Sequence, residues 1–215
     1  MFDYNKIKGN FQSSVAMIYE FTKKIVEQMG KNICKVFFNN KWKGTGFFCK
    51  IPFHNKDKML SFFFTNHHVI GEDILKQEDK KLIFCIKEKM QTKEIKLKDR
   101  KYYTSKKYDT TIIEIKENDN IKDYLQLDDK IICDILYDED LNEEYENKNI
   151  YIIQYPVGIL SFSFGIIKKI KENEAFNLYH NLITKGGASG SPLLGLDNKV
   201  IGIHKASFMG TFIIH

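Results

Sequence analysis

The chain has a single arginine, Arg100, although lysine is abundant and the formal net charge is +5. Proteins that read phosphates or base edges rely on the bidentate fork of arginine. A lysine-rich stretch at 87–107, with interleaved tyrosines, is the part best suited to an anionic partner. Within it, charged and apolar residues alternate over 94–98, which is typical of a strand with one solvated face. We favour the solvated strand and expect no nucleic acid, but a lysine-rich nucleic-acid-binding protein remains an alternative.

Several other features are missing. No apolar run reaches the length of a membrane span, and the first residues lack the regions of a signal peptide. No Cys/His cluster has zinc-site spacing. The four cysteines each lie in an apolar run, as buried free thiols do. We therefore expect a cytoplasmic protein without a disulfide framework, metal or cofactor, and with no membrane contact.

The most informative stretch surrounds Ser189, in the sequence Gly-Ala-Ser-Gly-Ser-Pro over 187–192. Glycines allow a sharp turn that presents a serine at a cleft. The same turn can aim the backbone N–H groups of Gly187 and Ser189 at one point. A nucleophile beside two such donors is what acyl transfer requires. A simple Gly/Ser/Pro turn between strands is the alternative interpretation.

Two more segments carry candidate catalytic side chains. An apolar run at 62–64 leads into a histidine pair, His67 and His68, and Asp109 precedes a β-branched run. Taken singly, the histidine could be a packed core residue and the aspartate a turn residue. The chain order His, Asp, Ser is nevertheless that of one well-known catalytic triad.

At this point the sequence resembles the chymotrypsin-fold serine proteases, and among them the glutamyl endopeptidase branch. Five segments carry the resemblance: Gly-Thr-Gly-Phe-Phe at 44–48, Thr-Asn-His-His-Val at 65–69, Asp-Thr-Thr-Ile-Ile at 109–113, Thr-Lys-Gly-Gly-Ala-Ser-Gly-Ser-Pro at 184–192 and Val-Ile-Gly-Ile-His at 200–204. They extend from about residue 31 to the C-terminus. In this register the family histidine corresponds to His68 and not to His67.

The resemblance implies an all-β fold of two six-stranded antiparallel β-barrels, and the pattern supplies six strand-like runs in each half. The predicted divisions are an N-terminal helical extension at 1–30, a first barrel at 31–118, an acidic connector at 119–148 and a second barrel at 149–215. The connector contains one strand-like piece at 131–136. A helix predicted at 13–29 packs on the barrel or contacts a further domain or partner.

The resemblance also assigns roles. His68 is the general base, Asp109 orients it, Ser189 is the nucleophile, and the N–H groups of Gly187 and Ser189 form the oxyanion hole. The expected function is a serine endopeptidase that cleaves a protein or peptide substrate through an acyl-enzyme. A catalytically inactive protease fold used for binding or as a scaffold is the alternative.

The substrate-binding residues predicted by resemblance are Thr184 and His204. A hydroxyl and an imidazole can together bind a carboxylate, and a protonated imidazole adds charge attraction. Lys205 would favour acidic substrates further, and Ser207 stands where a glycine often pairs with the substrate backbone. We expect cleavage after Glu, then after Gln or Asp.

Overall fold

The computed structural model describes residues 19–53, 58–77, 79–86, 91–128, 130, 144–171, 177–206 and 209–212. The predicted strand-like piece at 131–136, the first part of the predicted helix at 13–18, and Ser207 lie outside these residues.

The first half of the molecule is built from seven antiparallel strands. They are β1 (Ile33–Phe38), β2 (Lys41–Phe53), β3 (Lys58–Thr65), β4 (Lys81–Ile86), β5 (Gln91–Lys96), β6 (Tyr102–Ser105) and β7 (Thr110–Glu114). They pair in the order β5-β4-β1-β2-β3-β7-β6. Buried residues alternate along β1 and β4, so one face of each strand enters the core. That core includes a cluster of phenylalanine rings, in which Phe63 and Phe84 have centroids 4.5 Å apart.

A short strand, β8 (Leu125–Leu127), follows and pairs in parallel with a strand from each half, β2 and β13. The second half contains β9 (Asn149–Gln154), β10 (Ser161–Lys171), β11 (Asn177–His180), β12 (Pro192–Gly195), β13 (Lys199–Ala206) and β14 (Met209–Phe212). Their antiparallel pairing runs β9-β10-β11-β14-β13-β12 and returns to β9. This half is a closed six-stranded barrel, and the all-β chymotrypsin-like prediction is confirmed.

Two described strands were not predicted. The sequence of β6, Tyr-Tyr-Thr-Ser, shows no apolar alternation, and the strand forms by pairing with β7, where Tyr103 opposes Ile112. The three residues of β8 are too few to give a periodic signal, and their place is set by the two strands they join. The first half therefore has one strand more than the six predicted.

Helix α1 (Tyr19–Lys31) packs against the junction of the two halves, and a short helix, α2 (Glu72–Leu75), follows His68. The buried face of α1 carries Phe21, Ile25 and Gln28. Phe21 contacts the ring of Tyr151 edge-on at 5.6 Å, and the Tyr151 hydroxyl donates to Gln28 Oε1 at 2.7 Å. The predicted helix thus packs on the barrel. No helix in the described part of the chain is long and apolar enough to cross a bilayer.

Candidate active site

Ser189 lies between the two halves and is held by both. On one side, the Thr45 N–H of β2 donates to the Ser189 carbonyl at 2.9 Å. On the other side, the Gly190 N–H donates to the His204 carbonyl of β13, and the His204 N–H donates to the Ser191 carbonyl, each at 2.9 Å. The segment 183–191, called here the Ser189 loop, therefore depends on both halves for its position.

Two glycines of the Ser189 loop adopt left-handed backbone conformations, Gly187 with φ +96° and Gly190 with φ +87°. A Cβ on Gly187 would overlap the indole of Trp42, and one on Gly190 would overlap the Thr45 carbonyl oxygen. Conformation and space both require glycine here. The sharp turn predicted from the sequence is present.

The directions of two backbone N–H groups in the Ser189 loop are set by hydrogen bonds to the carbonyls that precede them. The Gly186 carbonyl accepts from the Val157 N–H at 2.7 Å, and the Ala188 carbonyl accepts from the Ser191 N–H at 3.1 Å. In a trans peptide the N–H points opposite to its C=O, so the N–H groups of Gly187 and Ser189 point away from these partners. Neither N–H has an acceptor among the described residues. Two unpaired donors of this kind can bind a developing oxyanion.

His68 and Asp109 form a two-point contact. The distance from His68 Nδ1 to Asp109 Oδ2 is 2.7 Å, and the His68 N–H donates to Asp109 Oδ1 at 3.0 Å. Asp109 has a positive φ of 52°, and Asn66 Nδ2 donates to its carbonyl at 2.8 Å. The carboxylate favours the tautomer with the proton on Nδ1, which leaves His68 Nε2 free to accept a proton. The imidazole side chain is 48% exposed and thus accessible to a substrate.

His67 has a different set of partners. Its Nδ1 lies 2.8 Å from Thr104 Oγ1, which lies 2.7 Å from Thr111 Oγ1. The Thr111 hydroxyl donates to the Ile70 carbonyl, so it accepts from Thr104, and Thr104 accepts from His67. This chain of hydrogen bonds ties the 66–71 turn to β6 and β7. It is His68, and not His67, that contacts Asp109.

The structure brings the His68 turn and the Ser189 loop to opposite sides of Gly44. A Cβ on Gly44 would lie 2.8 Å from Val69 Cγ2 and 3.0 Å from the Ser189 carbonyl oxygen. No hydrogen bond joins His68 to the Ser189 hydroxyl in the part of the chain described. Such contacts are often long in a free enzyme and shorten when substrate binds.

His204 belongs to a buried histidine pair that the sequence did not reveal. His180, at the end of β11, places its Nε2 3.1 Å from His204 Nδ1, and both residues are almost fully buried. The Leu182 N–H donates to His180 Nδ1 at 3.3 Å. That nitrogen is therefore unprotonated in the neutral ring, and His180 Nε2–H donates to His204 Nδ1. With this pairing neutral His204 carries its proton on Nε2, and the Met209 carbonyl also lies within hydrogen-bonding reach of both rings.

The two buried imidazoles are neutral in the free protein. Desolvation lowers the pKa of His180 to about 4. Desolvation, followed by the proximity of His180 and His68, lowers the pKa of His204 to about 3. The expected charge attraction by a protonated His204 is therefore absent at neutral pH before substrate binds. Sequence reasoning missed His180 because only the pairing of β11 with β14, and of β14 with β13, brings it to His204.

The structure gives less information on the surroundings of the other predicted substrate-binding residues. Thr184 is half-buried in the Ser189 loop. The Lys205 ammonium donates to Asn177 Oδ1 of β11 at 2.7 Å, so its charge is anchored there. Ser207 lies outside the described residues.

Two other kinds of reactive side chain, the guanidinium and the thiol, have structural roles or are buried in the fold. Arg100 forms a buried bidentate ion pair with Asp119, with distances of 2.7 and 2.9 Å. The sole arginine is therefore not available to a phosphate. Burial raises the pKa of the Cys34 and Cys49 thiols, which makes them poor nucleophiles.

Comparisons with known proteins identify the family and the fold. The model of the trypsin-like peptidase domain matches residues 44–203. The crystal structure of Deg5 is similar at 14% identity, with 94% of this chain and 92% of that chain covered and a TM-score of 0.62. The inactive form of the Rv3671c protease is similar at 13% identity, with coverage of 93% and 91% and a TM-score of 0.59. No curated protein matches the sequence. The structural likenesses show the fold, and because the domain match spans well over half of the 215 residues, the chain belongs to the trypsin-like peptidase domain family.

Proposed function

We propose that the protein is a serine endopeptidase with Ser189 as nucleophile, His68 as general base and Asp109 as the residue that orients the base. The observation that carries the proposal is the combination of two features on either side of Gly44. The Asp109 carboxylate contacts His68 twice, and in the Ser189 loop the N–H groups of Gly187 and Ser189 have no acceptor among the described residues. Membership of a peptidase family supports the same conclusion.

In the proposed reaction, His68 Nε2 removes the proton of the Ser189 hydroxyl while Oγ attacks the carbonyl carbon of the scissile peptide bond. The oxyanion accepts hydrogen bonds from the two N–H groups. Cleavage of the C–N bond follows as His68 returns the proton to the leaving amine. Water then attacks the acyl-enzyme by the same route and releases the carboxylic acid and Ser189.

For specificity, we propose that Thr184 and His204 bind the side chain that precedes the scissile bond. The Thr184 hydroxyl and His204 Nε2–H are both hydrogen-bond donors. A neutral donor pair suits the oxygen of Gln as well as the carboxylate of Glu, and Asp is shorter by one methylene. Ile183, six residues before Ser189, is apolar, so this position offers no carboxylate to bind the side chain of Lys or Arg. We propose cleavage after Glu, then Gln or Asp.

An inactive binding module is less consistent with the geometry. A protein that no longer needed catalysis would have no reason to keep an oriented Asp–His pair and two unpaired N–H donors. A nucleic-acid-binding role is disfavoured because the only arginine is consumed by its ion pair with Asp119. Cytoplasmic location and a partner of the N-terminal helix stay proposals from the sequence.

The test compares Ser189→Ala with Ser191→Ala on a library of peptides. The second variant is a matched control, since the Ser191 hydroxyl is buried and has no partner within the described residues. Ser189→Ala should lower kcat by about 10⁴ to 10⁶, because a triad member is lost, with an unchanged thermal midpoint. Ser191→Ala should retain activity. Activity of Ser189→Ala within tenfold of the parent would exclude Ser189 as nucleophile.

A further inference from the structure

Strand β6 has an open side. It pairs with β7 and with no other strand in the described part of the chain. The Lys101 carbonyl, just before β6, accepts from the Glu114 N–H of β7 at 3.0 Å. Hydrogen-bonded pairs alternate along an antiparallel ladder, so the backbone groups of Tyr103 face β7. Those of Tyr102 and Thr104 face the open side, which is called here the β6 edge.

The β6 edge is available to another strand. The N–H and C=O groups of Tyr102 and Thr104 have no partner among the residues that the structure describes. Proteins commonly protect such an edge with a proline, a bulge or a lysine within the strand. Strand β6 has none of these, and its register with β7 is regular. It exposes two aromatic side chains instead, Tyr102 and Tyr103, each 43% accessible.

A cavity lies at the start of the β6 edge. Its volume is about 230 Å³. Lys101 and Tyr102 line it on the exposed side, and the buried residues Leu75 and Leu97 line it toward the core. The side chains of an added strand would alternate between two faces, so one of them can enter this cavity while its neighbours stay in solvent. The two leucines favour an aliphatic side chain there.

The surface at both ends of β6 is basic. Lys98 and Lys101 precede the strand, Lys106 and Lys107 follow it, and all four are exposed. No carboxylate forms an ion pair with any of them within the described ranges. Asp99, which also lines the cavity, is the single acidic residue between positions 98 and 107. The charge of this surface therefore complements an acidic partner.

A peptide fits these features better than a nucleic acid does. The open N–H and C=O groups of the β6 edge repeat at the spacing of a strand, which the backbone of an extended peptide matches. Recognition of phosphates and bases relies on arginine. The guanidinium of Arg100, although it lines the cavity, is held by Asp119 in a buried ion pair.

We propose that the β6 edge binds an extended acidic segment of a second protein, which adds to the sheet as a strand beside Tyr102 and Thr104. An aliphatic side chain of that segment occupies the cavity. Its carboxylates face Lys101 at one end of the strand and Lys106 at the other. The binding does not depend on the catalytic roles proposed above.

The experiment measures the fluorescence anisotropy of a labelled peptide, Asp-Glu-Asp-Val-Leu-Val-Asp-Glu-Asp, with the full chain carrying Ser189→Ala so that the peptide stays intact. Adding Tyr102→Pro removes one N–H from the β6 edge and leaves the pairing with β7. Tyr102→Ala is the matched control, because it removes the same ring and keeps the N–H. We expect the proline variant to bind about five- to tenfold more weakly than the alanine variant. Equal affinities, or no binding by the chain that carries Ser189→Ala alone, would refute the proposal.

Methylated peptides test the added strand without changing the protein. Methyl groups on alternate backbone nitrogens block one side of the peptide, so two peptides methylated in opposite phases present different sides to β6. We expect their affinities to differ by about tenfold. Equal affinities would exclude an added strand. A thymidine oligonucleotide that binds more tightly than the unmethylated peptide would show a site for charge alone and would also overturn the proposal.

The charged ends of the β6 edge are tested by reversal. Lys101→Glu/Lys106→Glu should weaken binding of the unmethylated peptide by about tenfold. Lys168→Glu/Lys169→Glu, which reverses two exposed lysines of β10 in the other half, is the matched control and should leave the affinity unchanged. An equal loss in both variants would assign the binding to net charge and refute a site at β6, as would an unchanged affinity in the first variant.

Discussion

The buried His180–His204 pair leads to a prediction about acidic substrates that differs from the usual expectation for a charged pocket. Both rings are neutral at pH 7, so a substrate with Gln before the scissile bond meets the same hydrogen-bond donors as one with Glu. The substitution of Glu by Gln in the substrate is therefore the informative perturbation. We expect the ratio of kcat/KM for Glu over Gln to be modest at pH 8 and to rise as the pH falls to 5.

The magnitude follows from the distance between the charges. A carboxylate about 4 Å from a charge on His204 interacts with it by about 4 kcal/mol at an effective dielectric constant of 20. The ring centroids of His204 and His180 are 5.2 Å apart. A charge on His180, about 8 Å from the carboxylate, therefore gives about half of that energy. Each free ring has a low pKa, and the attraction to the substrate carboxylate raises it. Whether the proton is on His204 or on His180, the midpoint of proton uptake in the complex is about pH 5.5–6.

The direction of the effect is fixed by linkage. The Glu carboxylate raises the pKa of the histidine pair in the complex, so the added binding energy is present below the pKa of the complex and is lost as the pH rises through it. Between pH 8 and pH 5 the ratio should rise about four- to tenfold. At pH 5 most of the substrate carboxylate is still ionised, since glutamate has a pKa of about 4.3.

The assay is steady-state hydrolysis of a matched pair of peptides, Glu and Gln, from pH 5 to pH 8. A protonation that slows both substrates equally cancels in the ratio. In His180→Gln, which keeps a donor toward His204 but takes up no proton, a flattened pH dependence assigns the proton to His180, and a retained one assigns it to His204. His67→Ala is the matched control and should leave it unchanged. A ratio that is flat or falls on acidification in the parent would refute the assignment of His204 to the acidic side chain.

The other predictions concern the backbone, the register and the fold. Gly187→Ala should lower kcat, measured by steady-state kinetics, by about 10². The positive φ and the limited space both exclude a side chain at position 187, so one donor of the oxyanion hole is displaced. His68→Ala should lose about 10⁴ in kcat, whereas His67→Ala should stay within about tenfold of the parent, and the reverse result would shift the register by one residue. Arg100→Met should cost about 3 kcal/mol of unfolding free energy in urea because Asp119 is left as a buried unpaired charge, and adding Asp119→Asn should recover most of it.

Much of the fold was predictable because strands such as β1 and β4 alternate in burial, whereas strands of the second half such as β9 and β13 are short, continuously buried apolar runs. Strand β4, for example, has a regular alternation in its last five residues, and its register with β1 follows from burying one face. The location of His68, Asp109 and Ser189 at the ends of strands was also predictable, since each follows or precedes an apolar run in the sequence.

The details of the site could not be predicted in the same way, because they depend on residues that are distant in the sequence. The aim of the Gly187 N–H is set by Val157, and the tautomer of His204 is set through His180 by the Leu182 N–H. The Val157–Gly186 and His180–His204 contacts join residues far apart in the sequence and have no local signal. Val157 in particular has a β-branched side chain that favours a strand, and the tertiary hydrogen bond to Gly186 overrides that preference.

The contacts of Thr45 show how the candidate site depends on the packing of the two halves. Its N–H donates to the Ser189 carbonyl at 2.9 Å, and its hydroxyl donates to the Gly187 carbonyl at 2.7 Å. Thr65, on the strand that leads to His68, donates in turn to the Thr45 carbonyl at 2.8 Å. One buried threonine of the first half thus holds two carbonyls of the loop from the second half and is itself held next to the His68 turn. Because these bonds exist only when the halves are docked, separating the halves would misplace both the oxyanion donors and the nucleophile, and peptidase activity should be lost before either half unfolds.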